Sequence, residues 1–327
     1  MDILITEDLQ APAIDAVAGK FSVVREPSLW KDAAKLKAAL AEARTVMVRN
    51  QTQLTADVLT AATKLIGIGR VGVGLDNIDL PTATQRGITV IAPLDANAVS
   101  VAELTLGLLL ALARKIPQAD RSTKAGGWDR RGCTGIELAG KTLAICGFGR
   151  IGKLVAKRAA VFGMRLVVFD PFVKPGDVTL AETDATLCTK LDDALAQADF
   201  VSTHSPLTSE TKRMFNAQSF GAMKRGAFFV NTSRGGVVDE SALLAALQSG
   251  QLAGAALDVR ELEPPKERDA LEAMENVILT PHVASFTVEA QARTFEAVCA
   301  DLERLLRGEP TVNAVNALRH PQRNIPS

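Results

Sequence analysis

Cysteine is scarce in this chain: four of 327 residues, scattered at Cys133, Cys146, Cys188 and Cys299. That scatter contains neither the CxxC steps of a zinc site nor the density of a secreted disulfide scaffold, so a reduced, cytoplasmic setting is expected. No charge of one sign dominates, because Lys+Arg and Asp+Glu both number 37. A polyanion such as nucleic acid is therefore not an expected partner. Met1-Asp2-Ile3 has no basic region before an apolar one, and no signal peptide is expected. The longest apolar run, Leu104 to Ala113, is interrupted by Thr105 and Gly107. It is too short to span a bilayer and predicts a buried helix, with no membrane partner. Internal repeats and low-complexity tracts are also missing.

What remains is a chain with 47% apolar and 23% charged residues, the balance of an ordinary globular protein. Its length exceeds what one core usually fills, so two domains are expected. Strand and helix patterns alternate almost throughout. Ile3 to Thr6, Ser22 to Arg25, Thr45 to Val48, Leu65 to Gly69 and Ile88 to Ile91 predict strands, with helices at Pro12 to Ala18 and Lys31 to Ala41. Asn97 to Lys115 predicts a long helix that is apolar nearly all round, hence buried on all sides at a domain junction or a subunit interface. The alternation resumes through strands at 200–203, 227–231, 254–259 and 277–279, and Val288 to Leu306 predicts a second long helix. Such alternation implies parallel sheets with helices on both faces. In these sheets ligands bind beyond the carboxyl ends of the strands.

One stretch organises the rest. Leu143 to Cys146 predicts a strand, glycines follow at Gly147, Gly149 and Gly152, and Lys153 to Phe162 has helical spacing. In a dinucleotide-binding turn the first glycine permits the tight bend, the second lets the backbone approach a pyrophosphate, and the third lets helix and strand pack closely. The helix N-terminus offers N–H groups and a positive dipole to the phosphates. About 20 residues on, Asp170 ends the next strand, where a carboxylate accepts from ribose hydroxyls and repels a 2′-phosphate, favouring NAD over NADP. An Asp before Pro171 is also an ordinary strand-ending turn residue.

Of three histidines, His204 and His282 each follow a predicted strand, while His320 lies in the polar tail and is expected to be exposed. Proton transfer coupled to hydride transfer calls for a group that titrates near neutrality, and histidine is that group by default. Glu263 and Arg234 lie on loops after two further strands, where they could supply an orienting acid and a carboxylate clamp. Read singly, each has a structural alternative: a turn histidine after Pro281, a solvated glutamate, an arginine capping a helix. Arg49 and the Val73-Gly74 turn could receive a carboxylate, or be a solvated arginine and a tight turn. Asp76, Asn77 and Asp79 suggest helix capping rather than metal ligation, and no metal is assigned.

Taken together, VGVGLDNIDLPTATQRGITV, VAELTLGLLLALAR, ELAGKTLAICGFGRIG, HSPLTSET, NTSRGGVVDE, LDV with EP, and LTPHVAS, from about residue 48 to 290, resemble the D-isomer-specific 2-hydroxyacid dehydrogenase family, and within it the catalytic core of phosphoglycerate dehydrogenases. The resemblance implies an α/β architecture of two doubly wound parallel-sheet domains. A Rossmann NAD domain, residues 99–289, would be inserted in a flavodoxin-like substrate domain, residues 1–98 and 290–327, with a cleft closing on substrate. The helix at 99–115 would build a homodimer interface. His282 would be the acid/base, Glu263 its partner, and Arg234 the carboxylate clamp, with Arg49, Val73 and Gly74 completing substrate recognition. Gly147, Gly149, Arg150, Ile151, Gly152, Asp170, His204, Pro206, Thr232 and Asp258 would bind NAD, and Asp258 would reach the nicotinamide amide.

The same resemblance prunes the chemistry. Glu263 stands where formate dehydrogenases have Gln, and Val73 where phosphite-oxidising relatives have lysine. Gln51 replaces a second basic residue seen in some phosphoglycerate dehydrogenases, which weakens the case for a phosphate. Arg260 stands where an aromatic is usual, and Ser285-Phe286 where small residues are common. The chain ends before any appended regulatory domain, so feedback inhibition by serine is not expected. The implied activity is NAD-dependent interconversion of a 2-hydroxy and a 2-keto acid, 3-phosphoglycerate-like first, glyoxylate or hydroxypyruvate next. An NAD-responsive corepressor that binds protein partners is the reading from another class.

Overall fold

The computed structural model describes residues 1–316; His320 lies outside the described residues. In chain order the regular elements are β1 (Ile3–Ile5), α1 (Pro12–Ala18), β2 (Val23–Arg25), α2 (Ala33–Ala41), β3 (Thr45–Val48), α3 (Ala56–Ala61), β4 (Gly67–Arg70), α4 (Leu80–Gln85), β5 (Thr89–Ile91), α5 (Ala98–Ala113) and α6 (Ile116–Lys124). They continue with β6 (Thr142–Cys146), α7 (Arg150–Val161), β7 (Arg165–Phe169), α8 (Val178–Glu182), β8 (Thr186–Cys188), α9 (Leu191–Leu195), β9 (Phe200–Thr203), α10 (Ala217–Ala222), β10 (Ala227–Asn231), α11 (Glu240–Gln248), β11 (Leu252–Leu257), β12 (Val277–Leu279) and α12 (Val288–Leu306). The chain divides into two compact units, one of Met1–Asn97 with the chain from Thr287 on, the other Ala98–Phe286.

The first unit carries a five-stranded sheet in the order β2-β1-β3-β4-β5, all parallel. This is the flavodoxin-like order, whose switch point lies between β1 and β3. Side chains alternate across a strand, and here both sets are apolar: Leu4, Val46, Val48 and Ile68 face one core, Ile3, Ile5, Met47 and Ile91 the other. A sheet covered on both faces needs such near-continuous apolar runs. Helix α12 contributes Phe295, Val298, Cys299 and Leu302 to the second of these cores.

The second unit holds a seven-stranded parallel sheet, β12-β11-β10-β9-β6-β7-β8. Counted from β6 its order is the Rossmann 3-2-1-4-5-6 with one strand added at the edge, and the order reverses between β6 and β9. The same alternation recurs, with Ala144, Cys146, Val201 and Phe229 in one core and Leu143, Ile145, Phe200 and Val230 in the other. Among the described residues no helix is long and apolar enough to cross a membrane.

Within the single chain, helix α5 leaves Val99, Glu103 and Gly107 as an exposed stripe at i, i+4, i+8, with Leu104, Leu110 and Ala111 half-buried beside it. One expectation needs correcting, the end of this long helix. It stops at Ala113, where Lys115 takes a left-handed φ of 51° and Pro117 opens the separate helix α6.

Asp301 on α12 is fully buried. Its carboxylate accepts from Val312 N (2.9 Å), Asn313 N (2.7 Å), Asn313 Nδ2 (2.9 Å) and Arg304 (3.3 Å). Asp301→Ala would orphan these donors at about 1–3 kcal/mol for each that water does not reach. The expected result is a lower urea midpoint and faster hydrogen exchange at the Val312 and Asn313 amides; an unchanged midpoint would show the contact to be dispensable.

Candidate active site

Strand β6 ends at the switch point and runs into the glycine turn. Gly147 has φ 96°, in the left-handed region that favours glycine. A Cβ there would lie 2.8–2.9 Å from the His204 carbonyl and Ser205 N, so the turn presses against the loop leaving β9. At Gly152 a Cβ would lie 2.2 Å from the Gly147 carbonyl oxygen, which is the close helix-to-turn packing expected of that position. Gly149 is different, since nothing lies within 4 Å of where its Cβ would be. Its missing side chain serves no packing need of the chain and leaves room for a ligand. Arg150 and Ile151 open α7, and no side chain caps that helix.

The Asp170 carboxylate sits beside this turn. Its Oδ2 accepts from Phe148 N (2.7 Å) and its Oδ1 from Phe172 N (2.8 Å). Each oxygen keeps a further lone pair for a hydroxyl. Uncapped helix start, open space at Gly149 and a fixed carboxylate together suit a dinucleotide.

The loop after β9 carries His204 and Pro206. Burial pushes the His204 imidazole down to about 3, so it is neutral. Its Nε2 meets Ser202 Oγ at 2.9 Å, while Nδ1 and the nearby Thr203 Oγ1 are buried without a partner among the described residues. Orphaned buried polar atoms at this edge are what a bound polar group would satisfy. Pro206 is exposed, and its carbonyl accepts from Thr211 Oγ1. Thr232 is buried, and its hydroxyl is taken up with Thr105 of α5 at 2.9 Å.

Three more strand ends bring the chemical groups. After β10, buried Asn231 shapes the loop by donating from Nδ2 to the Arg234 carbonyl (2.9 Å) and accepting from Ser233 N (2.9 Å). After β11, Asp258 is 1% exposed and its acceptors serve the next loop. Its carbonyl takes His282 N (2.7 Å), Oδ1 takes Thr280 Oγ1 (2.6 Å) and Val283 N (2.9 Å), and Oδ2 takes Ala284 N (2.8 Å). These bonds hold His282 at φ 54°, a left-handed conformation that costs a non-glycine residue of order 1 kcal/mol. Asp258 is thus committed to the His282 loop, with Oδ2 alone keeping spare capacity.

His282 Nδ1 meets Glu263 Oε2 at 2.6 Å, and Glu263 Oε1 accepts from Arg260 N at 2.9 Å. Partial burial pushes the Glu263 carboxyl up, but the bonds from His282 and the Arg260 amide, with the charges of His282 and Arg234, outweigh it and hold the group below its ordinary value. An ionised carboxylate can only accept, so Nδ1 carries the proton and Nε2 is left for proton exchange. The structure therefore joins His282, Glu263 and Arg234 electrostatically.

In the first unit, Arg49 follows β3 and Arg70 ends β4, with Val48 and Arg70 in register. Arg49 donates to the Gln291 carboxamide of α12, and burial lowers its guanidinium pKa against the opposing charge of Glu7. Buried Glu7 accepts from the amides of Arg49 (2.8 Å), Gln51 (3.2 Å) and Thr52 (3.0 Å). Asn77 ties that loop to the half-buried Val73-Gly74 turn by donating to the Arg49 and Thr52 carbonyls. Asp79 caps α4 by accepting from Thr82 N. Arg70 leads into the loop after β4 to which the strand order draws attention, whereas Glu7 escaped the sequence reading; a charged residue just past an apolar strand was the available signal. The exposed Phe286 has no explanation in the structure.

A parallel sheet of Rossmann order with a glycine turn at its switch point and a ribose-suited carboxylate beside it defines a dinucleotide-binding fold, with a histidine–carboxylate pair on the same sheet edge. Residues 106–284 match the model of the D-isomer specific 2-hydroxyacid dehydrogenase NAD binding domain, and the chain belongs to that family. It is similar to the D-3-phosphoglycerate dehydrogenase of Methanocaldococcus jannaschii, 43% identical over 323 residues that make up 99% of this chain and 61% of the relative. The chain thus spans about three-fifths of that protein's length. Among solved structures, the TT0316 protein of Thermus thermophilus superposes with a TM-score of 0.89 at 35% identity, covering 97% of this chain and 100% of that one. A glyoxylate reductase from Paecilomyes thermophila gives 0.86 at 28% identity, covering 96% and 98%.

The glycine geometry separates folding from binding. Gly149→Ala should leave the melting temperature within about 2 °C of wild type, yet weaken NADH binding by about 10-fold or more in a fluorescence titration, because only the ligand needs that space. Gly152→Ala should lower both. Equal NADH affinity in Gly149→Ala would show that the pyrophosphate does not lie there.

Proposed function

We propose that this chain is an NAD-dependent oxidoreductase interconverting a D-2-hydroxy acid and the corresponding 2-keto acid. The observation that carries the reading is the 2.6 Å contact of His282 with Glu263, a carboxylate that also feels the charge of Arg234. Arg234 would bind the substrate carboxylate and polarise the adjoining carbonyl. In reduction, His282 Nε2 would pass its proton to the keto oxygen as the carbonyl becomes an alkoxide; in oxidation it would take the hydroxyl proton back. Glu263 would balance the imidazolium and hold its ring. The bound nicotinamide would supply the chemistry of hydride transfer to and from the same carbon, as donor in NADH and as acceptor in NAD+. Gly147, Gly149, Arg150, Ile151, Gly152 and Asp170 would hold the dinucleotide, with His204, Pro206 and Thr232 at the next strand ends. Thr232 and Asp258 would act chiefly through their neighbours, given how their hydrogen bonds are engaged.

A 3-phosphoglycerate-like acid is the first-choice substrate. The similarity to a D-3-phosphoglycerate dehydrogenase supports it, as do Arg49 and Arg70 at adjacent strand ends, which would serve an anionic substrate together with the Val73 and Gly74 amides. Glyoxylate or hydroxypyruvate reduction is the second reading, favoured by Gln51 in place of a basic residue and by the likeness to a glyoxylate reductase. A homodimer is proposed through the exposed stripe of α5, which a second copy would cover. The cytoplasm is the proposed setting, in keeping with four unpaired cysteines.

Steady-state turnover with NAD and 3-phosphoglycerate, beside NADH with hydroxypyruvate and glyoxylate, tests the reading. His282→Ala should lower kcat by about 100- to 10,000-fold with NADH binding retained. Arg49→Ala should instead raise KM for the phosphorylated substrate while leaving kcat near wild type. Full turnover in His282→Ala would sink the mechanism, and a corepressor would keep its function in that variant.

The lowered Glu263 pKa also fixes a sign. A depressed folded value contributes stability that is complete above the ordinary glutamate value of 4.5 and is lost as pH falls through the folded value. The urea-midpoint gap between wild type and Glu263→Gln should therefore shrink as pH falls below that ordinary value. A gap that persists unchanged into strong acid would mean the carboxyl is not held ionised.

A further inference from the structure

Arg260 follows β11 and is 9% exposed at its side chain, although nothing in the proton-transfer scheme uses its charge. Its guanidinium makes a two-point contact with Glu240 at the start of α11, Nε to Oε1 at 3.0 Å and Nη2 to Oε2 at 2.9 Å. The same group donates to Asp269, and Glu272 stands 4.0 Å away. Three carboxylates therefore converge on one cation, with the exposed Arg268 beside Glu272 as a second one. Planar, two-point pairing of this kind sets orientation as well as attraction. Glu240 Oε1 further accepts from Glu261 N at 2.7 Å, and Glu261 pairs with Arg213 at 2.8 Å.

The backbone of the same residue does a second job. Arg260 N–H holds Glu263 Oε1 at 2.9 Å, while His282 holds Oε2 at 2.6 Å. The two oxygens of Glu263 are thus fixed by two separate donors, which sets the plane of the carboxylate against the imidazole. Gly235, next to Arg234, packs directly on this peptide: a Cβ there would fall 1.9 Å from the Arg260 carbonyl oxygen. The loop bearing Arg234 and the loop bearing Glu263 consequently meet at Arg260, and the ion pairs with Glu240 and Asp269 keep them together. Without the guanidinium, Glu240, Asp269 and Glu272 would repel one another and drive the two loops apart.

We propose that Arg260 is a positioning residue of the proton-transfer pair, its guanidinium clamped by Glu240 and Asp269 so that its backbone N–H holds Glu263 in line with His282. The proposal rests on the acid/base reading of His282 and Glu263.

The test is a double-mutant cycle on kcat with the fastest acid of the substrate panel, using Arg260→Met, Glu263→Gln and the double variant, with NADH affinity measured in each. Arg260→Met should lower kcat by about 10- to 100-fold, as a small displacement of a proton-transfer group does, with NADH affinity within about 2-fold. In the Glu263→Gln background the same substitution should cost less than about 3-fold, because residues acting through one another are not additive. Arg260→Lys should recover part of the loss. Nuclear magnetic resonance of histidine-labelled protein gives a readout that needs no turnover: the low-field Nδ1 proton of His282, assigned by its loss in His282→Ala, should disappear or move upfield in Arg260→Met. Equal kcat losses in both backgrounds, or an unmoved resonance, would overturn the proposal. Full activity in His282→Ala would instead sink the acid/base reading, leaving the resonance to decide whether Arg260 fixes the pair. Should Arg260→Met fail to fold, Asp269→Asn weakens the clamp from its exposed side and carries the same cycle.

Discussion

Asp258 is the point from which the reacting geometry hangs. A buried carboxylate is tolerated only when hydrogen bonds replace the water it loses, and Asp258 finds three of its donors in Thr280, Val283 and Ala284. Its carbonyl takes a fourth from His282 N. The loop after β12 is thereby bent into a shape that puts His282 in the left-handed region, which a histidine would not adopt unaided. Strain at one residue is sustained by the satisfaction of a neighbouring buried charge. The imidazole can then meet Glu263 without either side chain searching for the other.

That arrangement depends in turn on the parallel sheet. In a doubly wound sheet every strand delivers its chain to the same edge, so β6, β9, β10, β11 and β12 release Gly147, His204, Arg234, Glu263 and His282 as near neighbours in topology despite wide separation in sequence. The apolar alternation along each strand is what makes this possible. Both faces of β6 and β9 are buried, the strands cannot slip by one residue without exposing one of the two cores, and the register of the loops is set by the cores below them.

Much of the scaffold was readable from periodicity. Strands such as Thr45–Val48, Phe200–Thr203 and Ala227–Asn231 and helices such as Pro12–Ala18 and Val288–Leu306 have the bounds that the pattern predicts. Some short elements were not, because α8 and β8 hold too few residues for a period to show, and α6 hides behind a left-handed lysine within a continuous helical composition. The exposed stripe on α5 was illegible for another reason: composition counts how much of a helix is apolar, and says little about which side its own chain covers. At the site, spacing placed the charged residues after strands, and only the resemblance paired Glu263 with His282. Which groups pair is a property of loops folded in three dimensions. Asp258 shows this most clearly, since its partners lie 22 to 26 residues ahead on another strand's loop, and no local pattern announces that a carboxylate will be spent on backbone amides.

The two halves of the site are prepared in opposite ways. At the glycine turn the chain withholds groups, leaving the space at Gly149 open and α7 without a side-chain cap, so a ligand meets an uncapped helix start and open space. At the histidine the chain supplies groups in excess, holding both oxygens of Glu263 and three sides of the His282 loop before any substrate arrives. Each choice follows from what the position must do. A phosphate brings its own charge and acceptors and binds best where the protein's donors are unspent, whereas a proton-transfer group must be aimed in advance, because orientation gained during the reaction would be subtracted from its rate.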